Sequence, residues 1–166
     1  MPNHFHIAVM PEKGEDLSRW MQWLMTSHVR RYHRHYGSSG HVWQGRYKSF
    51  MVQEDSHLLM VLRYIEGNPV RAGIVNSARE WKWSSHNEVI GRYRSGLLDK
   101  PPIEMPKEWS EYVDHSFEEN ELDRVRASVN RQTPYGDALW MMKVCREFGL
   151  EPTLRGRGRP RKETAA

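Results

Sequence analysis

At 166 residues, 38% of them hydrophobic, the chain has the size of one domain with a modest core and an appendage. Its single cysteine, Cys145, excludes an intrachain disulfide and a cysteine-rich zinc cluster, and no run is apolar for long enough to span a membrane. The net charge of +4 is smaller than the charge of the C-terminal cations Arg155, Arg157, Arg159, Arg161 and Lys162 taken together, so the body is near neutral and the basic end suits an anionic partner.

The opening "MPNHFHIAV" alternates, which predicts a strand over 4–10 that Pro11 ends. Residues i and i+2 of a strand share a face, so His4 and His6 project together while Phe5, Ile7 and Val9 turn toward a core. Two imidazoles on one side are a pair of metal donors. They are equally two polar residues on a wet face, and for so short a pattern this plainer reading is favoured.

Leu17, Trp20, Met21, Leu24, Met25, Val29 and Tyr32 recur at three- and four-residue steps and predict an amphipathic helix over 15–36. Gly37-Ser38-Ser39-Gly40 breaks it. Between His28 and Lys48 stand Arg30, Arg31, Arg34, Arg46 and Lys48 with no Asp or Glu among them, and with His28, His33, His35 and His41. This second basic region reads as a surface for an anionic polymer or as a solvated helix face. "HVWQGRYKSFMVQ" (41–53) is rich in aromatic and β-branched residues and predicts an extended segment bent at Gly45.

Asp55 or Ser56 is placed to cap a helix over 56–68, whose buried face is Leu58, Val61, Leu62 and Ile65. Tyr64 falls on one flank of that face, with Asn68 one turn later and His57 nearby. Tyr64 in such a place reads as an amphipathic core residue, and Asn68 before Pro69 as the N-cap of a new helical turn. "GNPVRAG" and a Trp-rich loop, "EWKWSSH", follow. From about 91 to 115 periodicity is weak. Two short helical patterns lie near 117–129 and 135–148, and beyond 154 nothing apolar remains to bury, so the tail is expected to be disordered.

"MPNHFHIAV", "VWQGRYKSF", "LRYIEGNPVRAGIV" and "WKWSSH", in that order, resemble the REP-associated tyrosine transposases, of the single-tyrosine HUH superfamily. "VNRQTPYGDALWMMKVCREFGL" resembles the C-terminal region of many of these relatives, so the match covers about 1–90 and 124–162. Relatives carry several tens of residues before the first block, so the resemblance implies a domain incomplete at its front, through an upstream start codon or truncation.

The implied fold is α+β: a partial ferredoxin-like HUH domain over 1–90, with a small antiparallel sheet made from 4–10 and 41–53 and the 15–36 and 56–68 helices on one face. A linker (91–116), a helical C-terminal region (117–150) and a disordered basic tail (151–166) would follow. The resemblance makes Tyr64 the nucleophile and His4 and His6 ligands of a divalent cation, Mg²⁺ or Mn²⁺, with Asn68 as third ligand. The implied reaction cleaves and rejoins single-stranded DNA beside a hairpin through a 5′-phosphotyrosine link, without ATP. Arg30, Arg31, Arg34, Arg46 and Lys48 would hold the DNA backbone. Arg157-Gly158-Arg159-Pro160, with Arg161, has the core of an AT-hook for a narrow duplex minor groove, or is a plain basic tail. A homodimer acting in the bacterial cytoplasm, at the nucleoid, with no membrane partner, completes the expectation. Two other readings are a relative that binds DNA without cutting it and a His-rich metal protein.

Overall fold

The computed structural model describes residues 1–155. About half of the chain is helical and no sheet forms among the described residues. The helices are α1 (Gly14–Tyr36), α2 (Ser56–Glu66), α3 (Asn68–Arg71), α4 (His86–Val89), α5 (Trp109–Asp114), α6 (Glu119–Arg131) and α7 (Ala138–Phe148), with 3₁₀ turns at Ala78–Glu80 and Glu151–Leu154. None of the described helices is long and apolar enough to cross a membrane.

The expected α+β fold with a small antiparallel sheet is therefore overturned. Residues 4–10 carry no regular structure, and of 41–53 only Val52 makes a β-bridge, a parallel one to Tyr135. Two hydrogen bonds hold that bridge, Gln53 N to the Tyr135 carbonyl at 2.9 Å and Tyr135 N to the Met51 carbonyl at 2.8 Å. The reason is pairing. Alternation and β-branched residues make a segment fit for a sheet, but a strand exists only where a neighbour satisfies its backbone groups in a ladder. Neither segment finds that neighbour.

The described residues form two compact units, 1–5 with 49–155, and His6–Lys48. In the smaller, α1 begins with Glu15 and Asp16 and ends with His33, Arg34 and His35, charges that complement the helix dipole. Gly37, at φ 61°, closes it in the left-handed conformation that glycine takes at least cost. The loop then folds back along the helix. His33 Nδ1 bonds the Ser38 hydroxyl and its Nε2 donates to the Gly40 carbonyl, each at 3.0 Å. Trp43 Nε1 donates to the Met25 carbonyl, and the Tyr47 and Ser18 hydroxyls bond at 3.1 Å.

The larger unit is built around α2. Asp55, not Ser56, is its cap and accepts from His57 N at 2.8 Å. One side of α2 gives Val61 and Tyr64 to a cluster with Val125 and Tyr135. The other side packs Leu59 and Leu62 against a second cluster of Ala78, Trp109 and Val113. Helix α5, which carries Trp109 and Val113, lies within the weakly periodic stretch 91–116. With both sides covered, α2 also buries two charged residues, Arg63 and Glu66. Arg63 Nη2 donates to the His115 and Ser116 carbonyls at 3.0 and 3.1 Å, and its guanidinium stacks 4.1 Å from the Phe117 ring.

Glu66, 3% exposed, gathers three donors. His86 Nδ1 and Trp109 Nε1 reach Oε2 at 2.7 and 2.8 Å, and the Ser85 hydroxyl reaches Oε1. The network continues from His86 Nε2 to Ser110 Oγ at 2.8 Å, and Ser110 Oγ accepts from Arg79 Nε at 2.7 Å. A carboxylate only accepts, so His86 Nδ1 carries a proton. Past Glu66 the chain must pass close to α5. A Cβ on Gly67 would lie 3.0 Å from the Arg63 carbonyl and 3.1 Å from the Val113 carbonyl.

Replacing Glu66 by Ala should cost about 3 kcal/mol or more, because it leaves the buried donors of His86 and Trp109 unpaired. Urea unfolding of the variant checks this, and an unchanged midpoint would refute the structural role given to the carboxylate.

Candidate active site

Tyr64 lies in the last turn of α2 and its residue is 9% exposed. Its ring meets Phe117 edge-on, with centroids 6.5 Å apart. Asn68 opens α3 with Gly67 as cap residue, and no side-chain cap bond forms there. The expected N-cap role of Asn68 is thus not taken, and its amide is free for other partners. Pro69, which has no N–H to leave unsatisfied, suits the first turn of α3.

The amide has two partners. Asn68 Oδ1 accepts from Arg71 Nη2 at 3.1 Å, and Asn68 Nδ2 lies 3.1 Å from His4 Nε2. The orientation is determined by Arg71, because a guanidinium has donors and no acceptor and can face only the amide oxygen. The nitrogen is left to His4, which must offer a lone pair at Nε2 and carry its proton on Nδ1. Nδ1 in turn meets Asn3 Oδ1 at 2.7 Å. Arg71 also donates from Nη2 to the Tyr64 carbonyl at 3.1 Å and stands over the Tyr64 ring, 4.3 Å from its centroid. A continuous polar chain therefore runs from His4 through Asn68 and Arg71 to Tyr64.

Two charges in this chain are perturbed. Burial, with a smaller contribution from the amino terminus, lowers the His4 pKa and so favours the unprotonated ring that accepts from Asn68. Burial also lowers the Arg71 pKa, against an opposing attraction to the Tyr64 phenol oxygen.

The fit of a divalent cation follows from the same contacts. His4 Nε2 is a suitable donor. Asn68 presents its nitrogen there, so the amide must turn over before its oxygen can serve. No group of three or more His, Cys, Asp or Glu close enough to hold a metal occurs among the described residues. His6 belongs to the His6–Lys48 unit, where it is half-buried. Arg30, Arg31 and Arg34 are exposed on α1 of that unit, and Arg46 and Lys48 are exposed in the irregular segment after it. Arg157, Arg159 and Arg161 lie outside the described residues.

Two features here were not singled out in the sequence. Arg71 stands at i+3 from Asn68 and i+7 from Tyr64, a helical spacing that places all three on one flank once the helix is continued past Gly67. The Glu66–His86–Ser110 network left no pattern, since its bonded pairs lie 20 and 24 positions apart.

Residues 1–68 match the family described as "Transposase IS200 like". That stretch takes in His4, His6, Tyr64 and Asn68 and ends three residues before Arg71. A Haemophilus influenzae protein named as a REP-associated tyrosine transposase is 29% identical over 101 residues, which are 54% of this chain and 57% of that protein. The chain thus spans just over half the length of this curated relative. No solved structure matches the chain. The chain resembles the REP-associated tyrosine transposases, as its motifs indicate.

The lowered His4 pKa has a direct check. In an NMR titration the His4 ring should protonate below the ordinary imidazole range. The Asn68–His4 contact should persist through that range and be lost only as pH falls below it. A midpoint at or above the ordinary value would contradict the hydrogen-bond assignment.

Proposed function

We propose that the chain is a transposase-type strand transferase that cuts and rejoins single-stranded DNA through Tyr64. What supports the reading is the chain of contacts that joins Tyr64, Arg71, Asn68 and His4, most of it within the stretch that matches the transposase family. In the proposed reaction the Tyr64 phenol oxygen attacks a backbone phosphorus. The new oxygen–phosphorus bond forms as the bond to the 3′ oxygen breaks. The phenol proton is lost and the departing oxygen gains one, which leaves a 3′-hydroxyl and a 5′-phosphotyrosine. One phosphodiester replaces another, so no ATP is needed, and attack by a 3′-hydroxyl reverses the step.

The packed ring contributes orientation. Held by Val61, Val125 and Phe117, it carries its hydroxyl in one direction, which reduces the ordering needed at attack. Mg²⁺ or Mn²⁺ would be held by His4 and by Asn68 with its amide turned; the cation would draw negative charge from the scissile phosphate. The imidazole nitrogen favours Mn²⁺ over Mg²⁺. Arg30, Arg31, Arg34, Arg46 and Lys48 would bind the strand, with hairpin-bearing DNA as substrate and a homodimer at the nucleoid as the working form.

A second reading, a relative that binds DNA without cutting it, is favoured by one observation, the burial of Tyr64. A covalent-adduct assay on labelled hairpin DNA with Mn²⁺ or Mg²⁺ separates the two. The wild-type chain should give a denaturant-stable adduct, and Tyr64→Phe should reduce it to background while DNA binding remains, since only the attacking oxygen is removed. Salt-dependent binding with no adduct from the wild type would establish the binding-only relative. Adduct from the Phe variant would exclude Tyr64 as nucleophile.

A further inference from the structure

We propose that Arg71 is a positioning residue of the Tyr64 site, fixing the tyrosine ring with a guanidinium that bonds the Asn68 amide only until that amide turns toward a cation, and setting a permanent positive charge beside the nucleophile. The inference rests on the reading of Tyr64 as nucleophile. Its geometric basis is specific. One nitrogen, Nη2, bonds both the Tyr64 carbonyl and Asn68 Oδ1, and the guanidinium lies 4.3 Å from the centre of the Tyr64 ring. Bonds to two acceptors orient the planar group, so its face is presented to the ring rather than to solvent.

Packing does not account for this arrangement. Arg71 Nη1 is buried with no hydrogen-bond partner, which is unfavourable for a charged donor, and an apolar side chain would fill the same space without that cost. The comparison with Arg63, from the same helical stretch, is instructive. Arg71 is half-buried and Arg63 is buried, but Arg63 is spent on the His115 and Ser116 carbonyls and on Glu121, which tie α2 to the loop before α6 and to α6 itself. None of those partners belongs to the candidate site. Both hydrogen-bond acceptors of Arg71 do.

The chemistry gives the charge a use. As the phenol oxygen attacks, negative charge develops on that oxygen and on the phosphate. A cation already fixed in a water-poor setting stabilises such charge without reorganising first. Lysine would keep the charge but not the fork, so it could not hold ring and amide together.

The test uses the full chain and labelled single-stranded hairpin DNA, comparing initial adduct rates. Arg71→Ala should slow adduct formation on the order of 100-fold. Millimolar guanidinium ion, far below denaturing concentrations, should restore part of that rate, whereas the same concentration of sodium ion should not. Arg71→Lys should be slowed less, with a thermal midpoint close to wild type, and it serves as the decisive variant if the alanine protein does not fold. Wild-type rates in both variants, or a slow alanine variant that tracks its folded fraction and ignores guanidinium, would overturn the proposal. An adduct with the wild type that persists in Tyr64→Phe, or none with the wild type, would remove the Tyr64 reading and this inference with it.

Discussion

The larger unit depends on a carboxylate that has been taken out of water. Glu66 is buried at the end of α2, and an unpaired charge there would destabilise the fold by several kcal/mol. It is tolerated because Ser85, His86 and Trp109, from two separate stretches of chain, each direct a donor to it. The same bonds determine where α4 and α5 lie against α2, since a donor that strays leaves both itself and the carboxylate unsatisfied. Apolar packing of Ala78, Trp109 and Val113 supplies the bulk of the attraction on that side, and the buried hydrogen bonds give it direction.

With Glu66 anchored, the residues on either side of it are placed. Tyr64, two residues before, turns to the opposite cluster with Val61 and Val125. Gly67 lets the chain pass the Val113 carbonyl where a side chain would crowd it. Asn68 and Arg71 then continue one helical flank past the break. One short stretch, "RYIEGNPVR", thus carries both sets of residues: Arg63 and Glu66 hold the fold, while Tyr64, Asn68 and Arg71 meet one another.

The orientation of Asn68 shows how a neighbour decides what a side chain can do. An amide has a donor end and an acceptor end, and Arg71 can accept nothing. Its presence therefore assigns the oxygen to itself and the nitrogen to His4. A residue whose type suits a metal ligand is in this arrangement a hydrogen-bond donor to an imidazole.

What was legible in the sequence was local. The helices at 15–36 and 56–68 show in three- and four-residue spacing, because a helix satisfies its own backbone and its apolar face recurs with the turn. Chemically typed residues show as themselves: the two histidines, Tyr64, and the basic region between His28 and Lys48, together with the ordered motifs that carry the family resemblance. The strands expected at 4–10 and 41–53 were not decided locally, because a strand needs a second chain segment in register, and only Val52 found one, at Tyr135. The buried network of Glu66, His86 and Ser110 and the position of Arg71 were likewise settled by tertiary structure. Whether a charged side chain is solvated or enclosed depends on which residues pack against it, and those partners stand 3 to 43 positions away along the chain. The sequence by itself determined the donors, acceptors and charges available; tertiary packing decided which of them meet, because a buried polar group is stable only where its complement has been brought to it.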